Sequence, residues 1–213
     1  MIITIDGPAG TGKTTIARNL ARRIGYNYFD TGALYRSITY LVLKGERELA
    51  DILLDFRLSM EKRGEEMCYF ANGEDVTEKI RSKEVTAKVS EISAHPQVRE
   101  ALISVQREFA QNNNAVFEGR DLGTVVFPKA DLKIFLTARA AVRAQRRYLE
   151  LRQKKEIVSE EEVFAQLTQR DHLDSTREIA PLKQAEDAIK IDTSDLTIDQ
   201  VVEQIQSEIP KVR

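Results

Sequence analysis

The sequence predicts an α/β fold: a doubly wound, five-stranded parallel sheet. Three observations predict it. Short apolar runs of strand length alternate with longer stretches whose apolar residues recur at helical spacing. The links between them are short. The first run is closed by a glycine-rich loop that opens directly into the first helical stretch.

Taken in order, Ile2–Asp6 is an apolar run ended by Gly7 and Pro8, the pattern of a buried parallel strand. Ile16, Ala17, Leu20, Ala21 and Ile24 then mark a helix from Lys13 that stops at Gly25. Tyr26–Phe29 reads as the second strand, and Asp30-Thr31-Gly32 opens a helix to about Leu43, closed by Gly45. Ala115–Glu118 and Leu132–Thr137 are further strands, Ala138–Arg152 a helix, Ala188–Ile191 the last strand and Thr197–Ile209 the last amphipathic helix.

Two segments break this alternation. Residues from about 46 to 81 hold a helical piece, then Met67–Phe70 and the turn Ala71-Asn72-Gly73-Glu74-Asp75, which reads as a hairpin in a small α/β insert. Residues from about 153 to 183 are dense in charge, from Lys154 through Arg170 and Asp174 to Arg177. They read either as a solvated helical hairpin or as a lid over an anion site. The expected organisation is one domain over 1–213: a core (about 1–45, 82–152 and 184–213), the insert (about 46–81) and the lid (about 153–183).

Composition narrows the function. Acidic and basic residues number 34 and 32, for a net charge of −2, so no global field draws the chain to nucleic acid or a membrane. No basic stripe with interleaved aromatics is present, and no apolar run is long enough to span a bilayer. The single cysteine, Cys68, excludes an intrachain disulfide and a cysteine metal cluster, and fits a reducing compartment. The opening residues leave no room for a signal peptide, so the expected address is the cytosol.

Gly7-Pro8-Ala9-Gly10-Thr11-Gly12-Lys13-Thr14 matches G-x-x-x-x-G-K-[ST] between a predicted strand and a predicted helix. The glycines let successive N–H groups turn inward onto phosphate oxygens, and the helix start adds its positive end. Lys13 suits the β- and γ-phosphates, Thr14 a Mg²⁺ ion, and Thr15, with the rest of the loop, the bound ATP. The fold expected is therefore of the P-loop NTP-hydrolase type. No N-K-x-D stretch marks guanine, and no apolar run ending in Asp-Glu marks a motor ATPase. That leaves kinases, which must hold a second substrate and exclude water.

Candidates for the second site lie on the same rim. Thr31 and Arg36 follow the second strand and suit an acceptor phosphate, while Asp30 suits a Mg²⁺-bound water, with helix capping as the plain alternative for Asp30 or Thr31. Glu118-Gly119-Arg120-Asp121 ends the third strand, where a carboxylate would accept from an exocyclic amine. Arg139, Arg143, Arg146 and Arg147 mostly share one helical face.

Together, Thr4–Gly10, Asp30–Arg36, Gly119–Pro128 and Arg177–Leu182, with the Gly73-Glu74-Asp75-Val76 turn of the insert, resemble bacterial-type cytidylate kinases, in order and over nearly the whole chain. The resemblance implies an enzyme that moves the γ-phosphate of ATP, with Mg²⁺, onto CMP and dCMP, as a cytoplasmic monomer. It implies that Arg36 and Arg99 hold the acceptor phosphate with Thr31 assisting. Ser90, Asp121 and Arg177, with Gly119 and Arg120 beside them, would face the base, and Asp174 the sugar hydroxyls. Lys13, Arg36, Arg147 and Arg170 would act on the transferring phosphoryl group, with Arg143 gripping ATP. One departure stands out: where many relatives read R-D-x-R-D in the lid, this chain reads Arg170-Asp171-His172-Leu173-Asp174. The rivals are a UMP or dephospho-coenzyme A kinase on the same scaffold, and a non-catalytic nucleotide-gated module. His95, before Pro96, reads as a helix-entry residue, and Cys68 as part of a strand.

Overall fold

The computed structural model describes residues 1–63 and 66–209. Along the chain run β1 (Ile2–Asp6), α1 (Lys13–Ile24), β2 (Asn27–Asp30), α2 (Thr31–Lys44), α3 (Leu49–Asp55), β3 (Leu58–Arg63), β4 (Glu66–Ala71) and β5 (Glu74–Asp75). Then come α4 (Lys83–Ala94), α5 (Pro96–Gln111), β6 (Ala115–Gly119), β7 (Leu132–Thr137), α6 (Ala140–Gln153), α7 (Glu160–Thr176), β8 (Ile189–Asp192) and α8 (Ile198–Ser207). The chain divides into two compact units, residues 1–30 with those from 107 onward, and residues 31–106.

The first unit is built on a five-stranded sheet of order β2-β6-β1-β7-β8, parallel throughout. The five strands expected from the sequence are the five found. Ile3, Ile5, Val116, Ile134, Leu136 and Ile191 point from the strands into a core closed by Ile16, Leu20 and Ala21 of α1 and Val201, Val202 and Ile205 of α8. Each buried Ile, Leu or Val side chain here contributes about 1.5–3 kcal/mol. Phe29, Phe109, Phe117 and Phe127 form a chain of tilted and edge-on rings with centroids 4.5–6.0 Å apart. The register pairs Asp30 with Glu118 and Asp6 with Gly119, so three carboxyl-bearing strand ends share one rim.

Helices α6 and α7 form a hairpin in which Ala144, Leu151, Val163 and Leu167 pack on Ala9 of the glycine-rich loop. Ser159 and Glu162 make a reciprocal capping box that starts α7. More than half of the charge-dense segment of the sequence is thus one helix, continuous through Arg170 and Asp174.

The second unit carries α2, α3, the three-stranded antiparallel sheet β3-β4-β5, α4 and the first part of α5. Asn72 (φ 49°) and Gly73 (φ 84°) make the two-residue turn of the β4–β5 hairpin. Cys68 is a buried free thiol in β4. Ser82 caps α4 through the Val85 N–H, and His95, extended at ψ 126°, ends α4 just before Pro96 opens α5. No helix among the described residues is long and apolar enough to cross a membrane.

Candidate active site

The glycine-rich loop, residues 7–12, links β1 to α1 across the end of the sheet. Two of its glycines are required by their neighbours. A Cβ on Gly7 would fall 2.2 Å from the Leu136 carbonyl oxygen, and one on Gly10 (φ 78°) would fall 3.0 Å from the Arg143 backbone. This close approach sets the loop against β7 and the first turns of α6. Lys13 is only 6 % exposed, and its Nζ donates to the Pro8 carbonyl at 2.7 Å. The Thr11 hydroxyl donates to the same carbonyl at 3.1 Å. Thr14 is half-buried and Thr15 exposed in the first turn of α1.

Beside Lys13 stands a buried carboxylate, Glu118, which accepts from the Tyr28 hydroxyl at 2.5 Å and from Thr14. Burial, and then the neighbouring Asp30, push its carboxyl above the ordinary range. Two carboxylates that crowd each other next to a threonine hydroxyl fit a hard divalent cation. Among the described residues no three acidic, histidine or cysteine side chains group as a metal cage. A Mg²⁺ ion held partly by water and phosphate needs none.

The cations around the loop crowd one another. Burial lowers Lys13 well below the usual lysine value, helped by the positive charge of Arg120 and Arg170. Arg170 is lowered to about 10, again chiefly by burial and then by Arg120, with Arg147 adding to it. Its Nε is enclosed and bonds to no group among the described residues. Such mutual repulsion is what a site for a polyanion shows when its groups are positioned in advance.

The arginines of α6 divide their labour. Arg139 pairs with Asp195, and Arg146 donates to the Thr193 carbonyl at 2.6 Å and to its hydroxyl at 3.0 Å, so both anchor the segment after β8. Thr193 in turn donates to the Thr11 carbonyl at 3.2 Å. Arg147 pairs with Glu150 at 2.6 Å, and Arg143 with Asp171 of α7.

At the end of β6 the chain makes a wide turn over Leu122–Val126, with the Phe127 N–H donating to the Leu122 carbonyl at 2.7 Å. Asp6 holds this turn from β1 by accepting from the Leu122 and Gly123 N–H groups at 3.0 and 2.8 Å. Asp121, just before it, accepts from Arg177 at 3.1 Å, and Arg120, following Gly119, donates to Asp174 at 3.0 Å. Both pairs are largely buried. Arg177 also donates to the Ala180 carbonyl at 2.6 Å, fixing the turn after α7. The structure therefore brings Arg120, Asp121, Asp174 and Arg177 together within the first unit.

In the second unit Thr31 opens α2 and is buried, as is Ser90 on α4. Arg36 donates to the Ile80 carbonyl at 3.0 Å and the Thr86 hydroxyl at 2.9 Å. Arg99, 2 % exposed, donates to the Ser93 carbonyl at 3.1 Å and lies over the Tyr35 ring, 5.5 Å from its centroid. Two arginine side chains are thus oriented by their own unit.

Three residues go beyond the sequence reading. Glu118 turns to Tyr28 and Thr14, leaving Asp121 as the carboxylate beside Arg177. Asp6 shapes the wide turn, and Asp171 reaches the loop. The alternation of side chains along β6 separates Glu118 from its neighbours; the contacts of Asp6 and Asp171 span 116 and 162 residues and leave no local signal.

Known proteins bear on the fold and on the family of the chain. Two solved structures share the fold: an uncharacterized protein from Eubacterium ventriosum (TM-score 0.54, 14% identity, 98% of this chain and 97% of that one) and a shikimate kinase from Bacteroides thetaiotaomicron (TM-score 0.52, 15% identity, 97% of each chain). Sequence relatives go further. The chain is 53% identical to a cytidylate kinase of Protochlamydia amoebophila over 96% of this chain and 94% of that protein. It is 45% identical to one of Enterococcus faecalis (97% and 94%) and 47% identical to one of Carboxydothermus hydrogenoformans (95% and 94%). The cytidylate kinase family model matches residues 3–211. With that match and these identities, the chain belongs to the cytidylate kinase family.

Proposed function

We propose that this protein transfers the γ-phosphate of ATP to CMP, and also to dCMP, giving CDP or dCDP and ADP, as a monomer in the cytosol. The observation that carries the chemistry is the crowding of positioned cations around the phosphate loop, Lys13 with Arg120 and Arg170, and Arg147 with Arg170, whose mutual repulsion a polyphosphate relieves. The acceptor specificity follows from family membership.

The acceptor is a phosphate oxygen with a second pKa near 6, ionised at neutral pH, so no general base is needed. The difficulty is bringing two anions together in line. Lys13 and Arg170 on the donor side neutralise charge on the transferring group, with Arg147 behind Arg170, while Arg36 and Arg99, with Thr31, take the acceptor phosphate. Asp121, paired with Arg177, accepts from the amino group of cytosine, with Ser90 and Gly119 completing the base contacts. Asp174, held by Arg120, takes the sugar hydroxyls. Thr14 and Asp30, joined by Glu118, would hold a Mg²⁺ ion, Asp30 through water; the ion would supply positive charge against the phosphates. Helix α7 excludes water.

The test is ADP release with ATP and Mg²⁺, supplied in turn with CMP, dCMP, UMP, AMP and no acceptor. Turnover is expected on CMP and dCMP, little on UMP or AMP, and almost none without acceptor. Turnover independent of acceptor would mark an ATPase. A companion variant, Asp121→Ala, is expected to lose phosphorylation of CMP by roughly 100-fold while ATP binding stays within about threefold. Equal loss of both would move Asp121 to the scaffold.

A further inference from the structure

Asp171 joins the lid helix to the phosphate loop through a closed set of contacts. Its Oδ1 accepts from the Ala9 N–H at 3.2 Å, and its Oδ2 accepts from Arg143 Nη1. The same Nη1 donates to the Ala9 carbonyl at 3.0 Å, and Arg143 Nε donates to the Ala138 carbonyl at 3.1 Å. One acid from α7 and one base from α6 thus hold both polar backbone groups of Ala9. Beneath them Ala9 packs with Ala144, Leu151, Val163 and Leu167.

An acid at this place calls for an explanation. A carboxylate against an anion-binding loop repels phosphate unless its charge is met, and here Arg143 meets it. The Nε and Nη1 of this arginine are correspondingly committed, to helix start, loop and Asp171. Asp171 also sits directly after Arg170 and three residues before Asp174 on a continuous helix, so fixing Asp171 fixes the direction of both.

We propose that Asp171 and Arg143 are positioning residues: they form a latch that seats α7 on the phosphate loop, sets Arg170 toward the transferring phosphoryl group and keeps water from it. On this reading Arg143 serves ATP through the loop and not by gripping it. The inference rests on the phosphates of ATP lying along residues 7–14.

The experiment compares wild type, Asp171→Asn and Asp171→Ala in three readouts: kcat and KM for CMP and ATP, ADP release without CMP relative to transfer, and the amide signal of Ala9 by NMR. Removing the latch misplaces Arg170, so Asp171→Ala is expected to lose roughly 10- to 100-fold in kcat. The ratio of hydrolysis to transfer rises and the Ala9 amide signal moves. Asp171→Asn keeps an acceptor for Ala9 but loses the charge for Arg143, and falls between the two; it carries the test should the alanine variant not fold. Wild-type kcat and ratio in Asp171→Ala overturn the latch. So does a lower KM for ATP at unchanged kcat, which would make the carboxylate a phosphate stand-in that ATP displaces. A parallel fall of transfer, hydrolysis and Tm would reduce it to a stability contact and overturn it as well. Should ATP leave the loop amide signals of the wild type unmoved, the placement of the phosphates has failed, a result distinct from failure of the latch.

Discussion

Lys13 is buried, with Arg120 and Arg170 as well as the carboxylates of Glu118 and Asp6 around it, and its Nζ donates to a carbonyl of its own loop. A cation held that way weakens the native state and does its useful work only when a phosphate arrives. Lys13→Ala is therefore expected to fold at least as stably as wild type and to lose turnover by about 100-fold or more. Urea titration beside steady-state kinetics checks both halves; a folded variant of near-normal rate would remove Lys13 from the chemistry. Asp6 shows the opposite trade. Burial raises its carboxyl from 3.8 to about 6, although two backbone N–H groups favour the charged form. The native state then binds this proton more tightly than the unfolded chain does. The stability it contributes is full below about pH 3.8 and is lost as the pH rises through about 6. Two pH units correspond to about 3 kcal/mol. Asp6→Asn has no such titration, so between pH 4 and 7 wild type is expected to lose about 2–3 kcal/mol relative to the variant. A gap that stays constant with pH would mean that Asp6 is ionised throughout.

Among the elements, α7 is where this chain departs from the lid pattern that the sequence resemblance implies. Leu173 lies one turn beyond Arg170 and is 44% exposed. A cation there would share the face of Arg170 but remain close to solvent, where a charge contact contributes about 0.2–1 kcal/mol. Leu173→Arg is expected to lower KM for ATP by about two- to fivefold, with little change in KM for CMP. An unchanged KM for ATP would show that this turn of α7 does not reach the donor phosphates. Elements also differ in how openly the sequence declares them. The parallel strands were legible because both faces are covered, which makes them apolar runs with glycine or acidic ends. Strand β3, Leu-Ser-Met-Glu-Lys-Arg, was not, because an edge strand exposed on one side alternates too weakly among its charges. The turn Leu122–Val126 reads as apolar sequence of no fixed type, since its shape is imposed by Asp6, 116 residues away.

The molecule as a whole carries almost no net charge, yet it concentrates Lys13, Arg120, Arg147 and Arg170 around one loop. The loop motif announced that concentration locally, and the spacing of arginines on α6 announced part of it. Which of those arginines face the loop and which anchor the segment after β8 depended on tertiary contacts that no spacing encodes. Repulsion stored in the folded protein and absent from the unfolded chain is a stability penalty that a polyanionic ligand removes. ATP with Mg²⁺ at 100 times its Kd adds about 2.7 kcal/mol to the stability of a protein that binds it only when folded. For a chain of this length each kcal/mol moves Tm by about 2–4 °C, so a rise of roughly 5–10 °C is expected. Inorganic triphosphate, which offers the charge without the nucleoside, is expected to give a large part of that rise, and Lys13→Ala with Arg170→Ala to remove most of it. A rise that ATP produces and triphosphate does not would mean that the nucleoside, and not the cation cluster, supplies the binding energy.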